Sequence, residues 1–374
     1  GSESCGRKIK RRWMILQGDV IEKLKELDDG SVQCVVTSPP YWGLRDYGTA
    51  EWQGGDDICD HKMPPTGGPG LNRSGHSRDG YYSKVCKKCG AIRKDHQLGL
   101  EETPEKYVEN MVKVFREVKR VLKDDGTVWL NLGDSYAGGG RNSGNSLENT
   151  SDKQKTQIHS MSVGKAIVPQ GLKPKDLVGI PWRVASALQQ DGWYLRQDII
   201  WHKPNPMPES VKDRCTKSHE YIFLLTKSAK YYYDADAIRE PYTEPMDRWG
   251  GQHKRNPTNE KFDETEMANA NSLARERNMR PNEGGRNKRS VWTITTKPYK
   301  EAHFAVFPPK LPELCIKAGT SEGDTVLDPF FGSGTTGWVA QRLGRKWIGI
   351  ELNPDYVKIA EKRFLQRELF ESKP

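Results

Sequence analysis

The chain has 374 residues, 34% of them hydrophobic, and a formal net charge of +9. That length supports one large domain or two, no apolar run approaches the ~18 residues of a membrane span, and the basic N-terminus lacks the apolar segment of a secretory signal. The cationic excess suits a polyanionic partner, and seven scattered cysteines point to a reducing compartment with free thiols or a metal site rather than a disulfide framework.

Residues 1–12 form a basic tail. WMILQGD, from Trp13, is a strand closed by Gly18-Asp19. VIEKLKELDDG spaces Val20, Ile21, Leu24 and Leu27 as a helix does and stops at Gly30. SVQCVVTS is the next strand, and it leaves through Ser38-Pro39-Pro40-Tyr41-Trp42. Two prolines can neither donate to a ladder nor continue a helix, so this is a rigid turn. Residues 48–100, rich in Gly, Pro and charge, are an inserted lobe. EKYVENMVKVFREVKRVLKDDG (105–126) is a long amphipathic helix with Gly126 marking its end. TVWLNLGDSYAG is a strand entering a loop. Residues 136–175 are a flexible insertion.

PWRVASALQQDGWYLRQDIIWHKP is helix then strand, and SHEYIFLLTKSAKYYYD is another strand or strand pair. Residues 234–290 are polar, with few apolar residues for a core. Order resumes at Val291: FPPKLPELCIKAGT is a short helix, DTVLDPFFGSGTTGWVAQRLGRKWIGIEL is strand, tight loop, helix and strand, and DYVKIAEKRFLQREL is a closing helix. Alternating strands and helices imply a parallel α/β sheet.

In TVLDPFFGSGTT the glycines Gly332 and Gly334 let the backbone turn tightly and approach a ligand at the carboxyl end of a strand. The next strand ends in Glu351, an acid placed to accept hydrogen bonds from ribose hydroxyls. The loop lacks GxGxxG spacing and any GK[ST]. Asp328 and Phe330 put a carboxylate and an aromatic beside it, which suits a positively charged cofactor. A glycine-rich turn of an ordinary α/β protein is the plainer alternative.

Cys59-Asp60-His61 and Cys86-Lys87-Lys88-Cys89-Gly90 form CxH and CxxCG halves. The four ligands Cys59, His61, Cys86 and Cys89 complete a closed tetrahedral set, which suits structural zinc rather than catalysis. Free thiols in a loop are the plainer alternative, and His76 is a competing ligand.

DPFFGSGTT together with TSPPYW resembles the amino-group DNA methyltransferases, which methylate the exocyclic nitrogen of cytosine or adenine. The motif order, SPPY early and FGSG late, is that of the circularly permuted β-type arrangement. The resemblance implies a permuted Rossmann-like, S-adenosylmethionine-dependent methyltransferase sheet with helices on both faces. It places a catalytic half at 13–47 and 101–135, a sheet continuation at 176–233, a target-recognition region at 234–290 and a cofactor half at 291–374, with the zinc-binding lobe read from the Cys and His spacing inserted at 48–100.

It implies catalysis by Ser38, Pro39, Pro40 and Tyr41, with Ser38 and a Pro39 carbonyl as acceptors for the amine and Tyr41 stacking on a flipped base. Trp42 either helps or is core, and Cys34 is strand filling. It implies cofactor contacts from Asp19, Phe307, Asp328, Phe330, Gly332, Ser333, Gly334, Thr335 and Glu351. Ser38 at the first motif position goes mainly with N4-cytosine; N6-adenine is the alternative. RNA and protein-glutamine methyltransferases also use an xPPY turn, but usually with the cofactor loop first.

Double-stranded DNA is the implied partner, with room for a cognate restriction endonuclease, for a monomer or homodimer, and for a cytoplasmic, nucleoid-associated location. His202, Lys203 and Asn205 are candidates for phosphate or the flipped strand, or a solvated loop. His219-Glu220 is expected to fix a strand edge. Arg45 and Asp46 are expected to cover the site.

Overall fold

The six residues Val32–Thr37 are all buried and form β2, in the middle of an eight-stranded sheet. A strand buried throughout, apolar except for Gln33 and Thr37, is what a sheet covered on both faces requires. Across the sheet the order is β1 (Trp13–Gln17), β10 (Lys346–Glu351), β9 (Thr325–Asp328), β2, β5 (Leu122–Leu132), β7 (His219–Thr226), β6 (Tyr194–His202) and β8 (Val291–Thr293). All run parallel except β7, which is antiparallel to both neighbours. A separate antiparallel pair, β3 (Glu51–Gln53) and β4 (Ile92–Lys94), stands in the inserted lobe. This computed structural model describes residues 13–43, 49–56, 58–61, 85–86, 88–138, 168–242, 284–296 and 307–371.

Successive side chains of a strand point to opposite faces, and two cores result. Val35, Val128, Leu130 and Leu132 pack under α1 (Val20–Lys25), α2 (Pro104–Val121) and α3 (Ile180–Gln190). Cys34, Val36 and Trp129 pack under α4 (Lys310–Gly319), α5 (Thr335–Arg342) and α6 (Pro354–Glu371). Helix α2 starts where the Thr103 side chain accepts from the Lys106 N–H with Pro104 in the first turn, a cap followed by a residue that needs no donor. It buries Tyr107, Met111, Val114, Phe115, Val118 and Val121. No helix among the described residues is long and apolar enough to cross a membrane.

The helix expected over 105–126 ends earlier, at Val121. Leu122 is already extended (ψ 138°), and the step from Val32 to Cys34 on β2 is matched by the longer step from Leu122 to Thr127 on β5. Gly126 sits in that bulge. A Cβ there would lie 2.6 Å from Leu122 Cγ and 2.9 Å from the Gln33 carbonyl, so the glycine answers a close approach and not a helix end. Residues 219–234 supply one strand, and β8 joins the sheet edge beside β6.

The parallel strands bring one set of ends together. Gly18-Asp19 follows β1, Glu351 ends β10, Asp328 ends β9, Ser38 follows β2 and Lys203 follows β6. Because β7 runs the other way, its first residues, His219 and Glu220, stand at that same edge. In open α/β sheets this edge is where ligands bind.

Candidate active site and metal centre

After Thr37 the chain enters the SPPY turn, which neighbouring elements hold from several sides. The Tyr107 hydroxyl on α2 donates to the Pro40 carbonyl (2.9 Å). The Gly43 N–H donates to the Gly99 carbonyl (2.8 Å). Trp42 is 6% exposed and its indole N–H donates to the Glu101 carbonyl (2.9 Å), which makes it core. Among the described residues no donor meets the Pro39 carbonyl.

Ser38 Oγ donates to the Tyr41 hydroxyl oxygen (3.2 Å), and Tyr41 donates to Glu220 Oε2 (2.8 Å), with Asn131 Oδ1 at 3.2 Å. Burial, reinforced by the Glu220 carboxylate, pushes the Tyr41 phenol well above its ordinary value. A Cβ at Gly133 would come within 2.5 Å of Tyr41 Cε2, so that close approach requires glycine. Glu220 also accepts from Asn131 Nδ2 (3.2 Å) and pairs with Lys203, whose Nζ lies 4.3 Å from the centre of the Trp201 ring.

Glu220 binds the SPPY turn in addition to standing at a strand edge, and Lys203 pairs with Glu220. His202 Nδ1 meets Thr293 Oγ1 (3.2 Å), and Asn205 exchanges hydrogen bonds with the Thr296 backbone (3.1 Å each). Both tie the exit of β6 to the β8 segment. Arg45, Asp46 and His76 lie outside the described residues, as do 1–12, 139–167 and 243–283.

On the glycine-loop side, the Gly18 N–H donates to the Glu351 carbonyl (2.9 Å), which puts Asp19 beside Glu351. Glu351 accepts from the Gly332 N–H (2.7 Å) and the Asn353 N–H (2.8 Å), and burial raises its pKa. Asp19 caps α1 by accepting from Ile21 N–H (3.0 Å) and Glu22 N–H (3.1 Å). It also borders a cavity of 330 Å³ lined by Val20, Ile21, Asp95, Leu98 and Asn110 among others. Gly332 (φ +51°) and Gly334 (φ +77°) are left-handed, but their surroundings differ. A Cβ on Gly332 would meet nothing within 4 Å, whereas one on Gly334 would stand 3.1 Å from Phe331 and 3.2 Å from Ala360 and Phe364.

Asp328 is only 2% exposed. It accepts from Thr37 Oγ1 (2.7 Å), Thr336 Oγ1 (2.6 Å) and the Phe330 N–H (3.1 Å), and burial pushes its pKa to about 6. It therefore joins β9 to β2 and to the first turn of α5, behind the SPPY turn. Ser333 Oγ is buried and finds no hydrogen-bond partner among the described residues. Arg363 donates to the Ser333 carbonyl (3.2 Å) and to Thr335 Oγ1 (3.1 Å), holding the loop to α6. Phe330 packs with the core under α1–α3, and Phe307 with the core under α4–α6. Sequence reasoning missed Asn131, Thr37 and Thr336 along with the role of Glu220. The available signal was a polar residue inside an apolar strand, such as Asn131 in WLNL, since buried polar groups need a reason.

In the inserted lobe, the ligand atoms of Cys59, His61, Cys86 and Cys89 all lie within 4.8 Å of one another. Cys59 Sγ and Cys86 Sγ are 3.8 Å apart, and Cys89 Sγ and His61 Nδ1 are 3.5 Å apart. Tetrahedral zinc with Zn–S about 2.3 Å and Zn–N about 2.05 Å has edges of about 3.8 and 3.5 Å, so the residues fit that ion. Gly90 (φ +75°) lets its N–H return to the Cys86 carbonyl (2.8 Å), and the His61 ring stacks on Trp52 (4.8 Å). Backbone N–H donation from Cys89, then the His61 ring, lowers the Cys86 thiol to about 6, toward the thiolate a metal requires.

A glycine loop late in the chain and the SPPY turn early in it stand side by side on one mostly parallel sheet, the arrangement that the resemblance to the amino-group DNA methyltransferases implies. Residues 32–362 match the DNA methylase family model of N6 and N4 methyltransferases, and the chain belongs to that family. It is 43% identical over 367 residues to the type II methyltransferase M.SmaI of Serratia marcescens, covering 98% of this chain and 95% of that protein. It is 43% identical over 349 residues to M.Cfr9I of Citrobacter freundii, covering 93% and 86%. Among solved structures, the PvuII DNA methyltransferase (cytosine-N4-specific) shares the fold with a TM-score of 0.52 at 18% identity, covering 94% of this chain and 88% of that one.

Proposed function

We propose that the protein transfers a methyl group from S-adenosylmethionine to the exocyclic N4 of a cytosine flipped out of double-stranded DNA. The observation that carries this reading is the state of Ser38. Its proton is directed at Tyr41, so Oγ turns lone pairs to the site, and the Pro39 carbonyl adds a second acceptor. An exocyclic amine is a poor nucleophile because its lone pair is delocalised into the ring. Two acceptors holding its hydrogens pyramidalise the nitrogen and aim the pair at the methyl group. The prolines hold both acceptors in place before the substrate arrives, so little entropy is lost at reaction time. As the N–C bond forms, the methyl–sulfur bond breaks with its electron pair going to sulfur, and the surplus proton on nitrogen leaves to water.

The cofactor's groups have matching partners. Glu351 suits ribose hydroxyls, and Asp19 and the adjoining cavity suit the adenine end. The open space at Gly332 allows close backbone approach, and the unpartnered Ser333 hydroxyl has a bond to offer. We assign the methionine end to the neighbourhood of Phe330, with Asp328 holding the strands behind it. The Cys59, His61, Cys86 and Cys89 cluster holds a structural zinc, and residues 234–290 read the target sequence.

N6-adenine is the second reading, since the family includes both bases. Ser38, where adenine-specific members more often carry Asp or Asn, favours cytosine. Duplex DNA methylated by the protein and digested to nucleosides should yield N4-methylcytosine by mass spectrometry. N6-methyladenine would shift the base, and transfer only to RNA or protein would overturn the reading.

A further inference from the structure

Ser38 can act as an acceptor only if its own proton is committed elsewhere, and the bonding around it shows what commits it. Glu220 is a carboxylate, an acceptor with no proton to give. Lys203 pairs with Oε1, and Asn131 Nδ2 donates to Oε2 (3.2 Å). Asn131 is 2% exposed, and its amide nitrogen also donates to the Tyr221 carbonyl (3.1 Å). That orients the amide and leaves Oδ1, another acceptor, facing Tyr41. Tyr41 thus sees acceptors on β5 and on β7, and its one proton goes to the nearer, Glu220 Oε2 at 2.8 Å. The phenol oxygen then requires a donor, which is Ser38 Oγ. The proton count runs one way along the row: Ser38 to Tyr41 to Glu220.

Building on the reading of Ser38 as the amine's acceptor, we propose that Glu220 is the positioning residue that sets the direction of this hydrogen-bond chain. Reversing the last link shows why a carboxylate is needed. In Glu220→Gln, the ammonium of Lys203 takes the remaining carbonyl oxygen, because it can only donate. The amide NH₂ then faces Tyr41 and donates to it. Tyr41 must send its proton to Asn131 or to Ser38 Oγ, and Ser38 is left free to turn its proton at the amine it should receive. The side chain keeps its size and most of its packing, but the acceptor becomes a donor. Glu220 touches neither substrate nor cofactor in this account; it acts through Tyr41.

The test is single-turnover methylation of duplex DNA by Glu220→Gln, Tyr41→Phe, the double variant and Ser38→Ala. Misdirecting a reacting contact costs up to about 10²-fold, so Glu220→Gln and Tyr41→Phe should each slow transfer roughly 10- to 100-fold. KM for DNA and for S-adenosylmethionine should stay at wild-type values. Groups in one network are not additive, and phenylalanine already cuts the chain, so the double variant should be no slower than Tyr41→Phe alone. A wild-type rate in Glu220→Gln, or losses that multiply in the double variant, would overturn the proposal. If Glu220→Gln does not fold, Tyr41→Phe decides, since a wild-type rate there removes the link through which Glu220 acts. Full activity in Ser38→Ala is a separate outcome: it would bring down the function reading itself, whereas a slow Ser38→Ala beside a fast Glu220→Gln would bring down only this inference.

Discussion

Asp328 shows how one side chain can serve the fold and the ligand edge together. Its carboxyl, with an ordinary pKa of 3.8, is pushed to about 6 by burial. Between about pH 4 and 6 the folded chain holds a proton there that the unfolded chain has released. The stability this contributes is complete below about pH 4 and is lost as pH rises through about 6. Asp328→Asn has no such titration. Urea unfolding of both proteins across this range should show the variant gaining on wild type as pH rises, and a constant difference would mean the carboxyl titrates normally. Asn can replace the bonds: its oxygen accepts from Thr37 and Phe330, its amide donates to Thr336, and the Thr336 hydroxyl turns to the Val36 carbonyl, already 3.3 Å away. Asp328→Ala would strand those partners at about 1–3 kcal/mol each. On the proposed mechanism, Ser38→Ala removes one preorganised acceptor at the reacting nitrogen. It should slow methylation roughly 10²–10³-fold, with S-adenosylmethionine affinity by calorimetry unchanged.

Among the elements, the turn between β9 and α5 separates two kinds of glycine. Both are left-handed, at a cost to other residues of roughly 1–2 kcal/mol. Gly334→Ala also collides with Phe331, Ala360 and Phe364, so it should melt at a clearly lower temperature than Gly332→Ala. Gly332→Ala puts its methyl into the open space assigned to the cofactor, and calorimetry should show the larger loss of S-adenosylmethionine binding relative to its small loss of stability. Equal melting temperatures would mean the α6 contact carries no weight. The β3–β4 pair makes a different prediction. Purified protein never exposed to chelator should carry one zinc per chain by metal analysis, and Cys86→Ser should lose it. Unchanged metal in that variant would reject the ligand set. The motif elements were legible because each is written within a few neighbouring residues, as in the glycines after VLDP or the knuckle glycine after CKKC. The end of α2 was not, because Gly126 is explained only by Leu122 and the β2 backbone.

At the scale of the molecule, the +9 charge belongs with a polyanionic substrate. Contacts to several phosphates release counterions, so duplex binding should fall linearly on a log–log plot against salt, by about 10³–10⁵ between 50 and 200 mM for 6–10 contacts. Filter binding or fluorescence anisotropy would measure it, and a flat plot would point to a substrate that is not a nucleic acid. The permuted order also acquires a physical sense here. Thr37 and Asp328 are 291 positions apart in the chain and 2.7 Å apart in space, so the strands that lead into the SPPY turn and the glycine loop share one wall whichever is made first.

By itself the sequence determined the resemblance to the family, the rigid turn, the glycine loop and the four residues of the Cys/His cluster. Those features rest on φ preferences, proline geometry and short ligand spacings, which act over a few residues. The tertiary structure alone decided what surrounds Ser38. Tyr41 meets Asn131 from 90 residues away and Glu220 from 179, and those meetings depend on strand order and on the reversed direction of β7. No local pattern encodes which end of a strand faces a ligand. An acid at the start of SHEYIFLL therefore reads as an edge residue until the antiparallel pairing of β7 with β5 carries it to the SPPY turn.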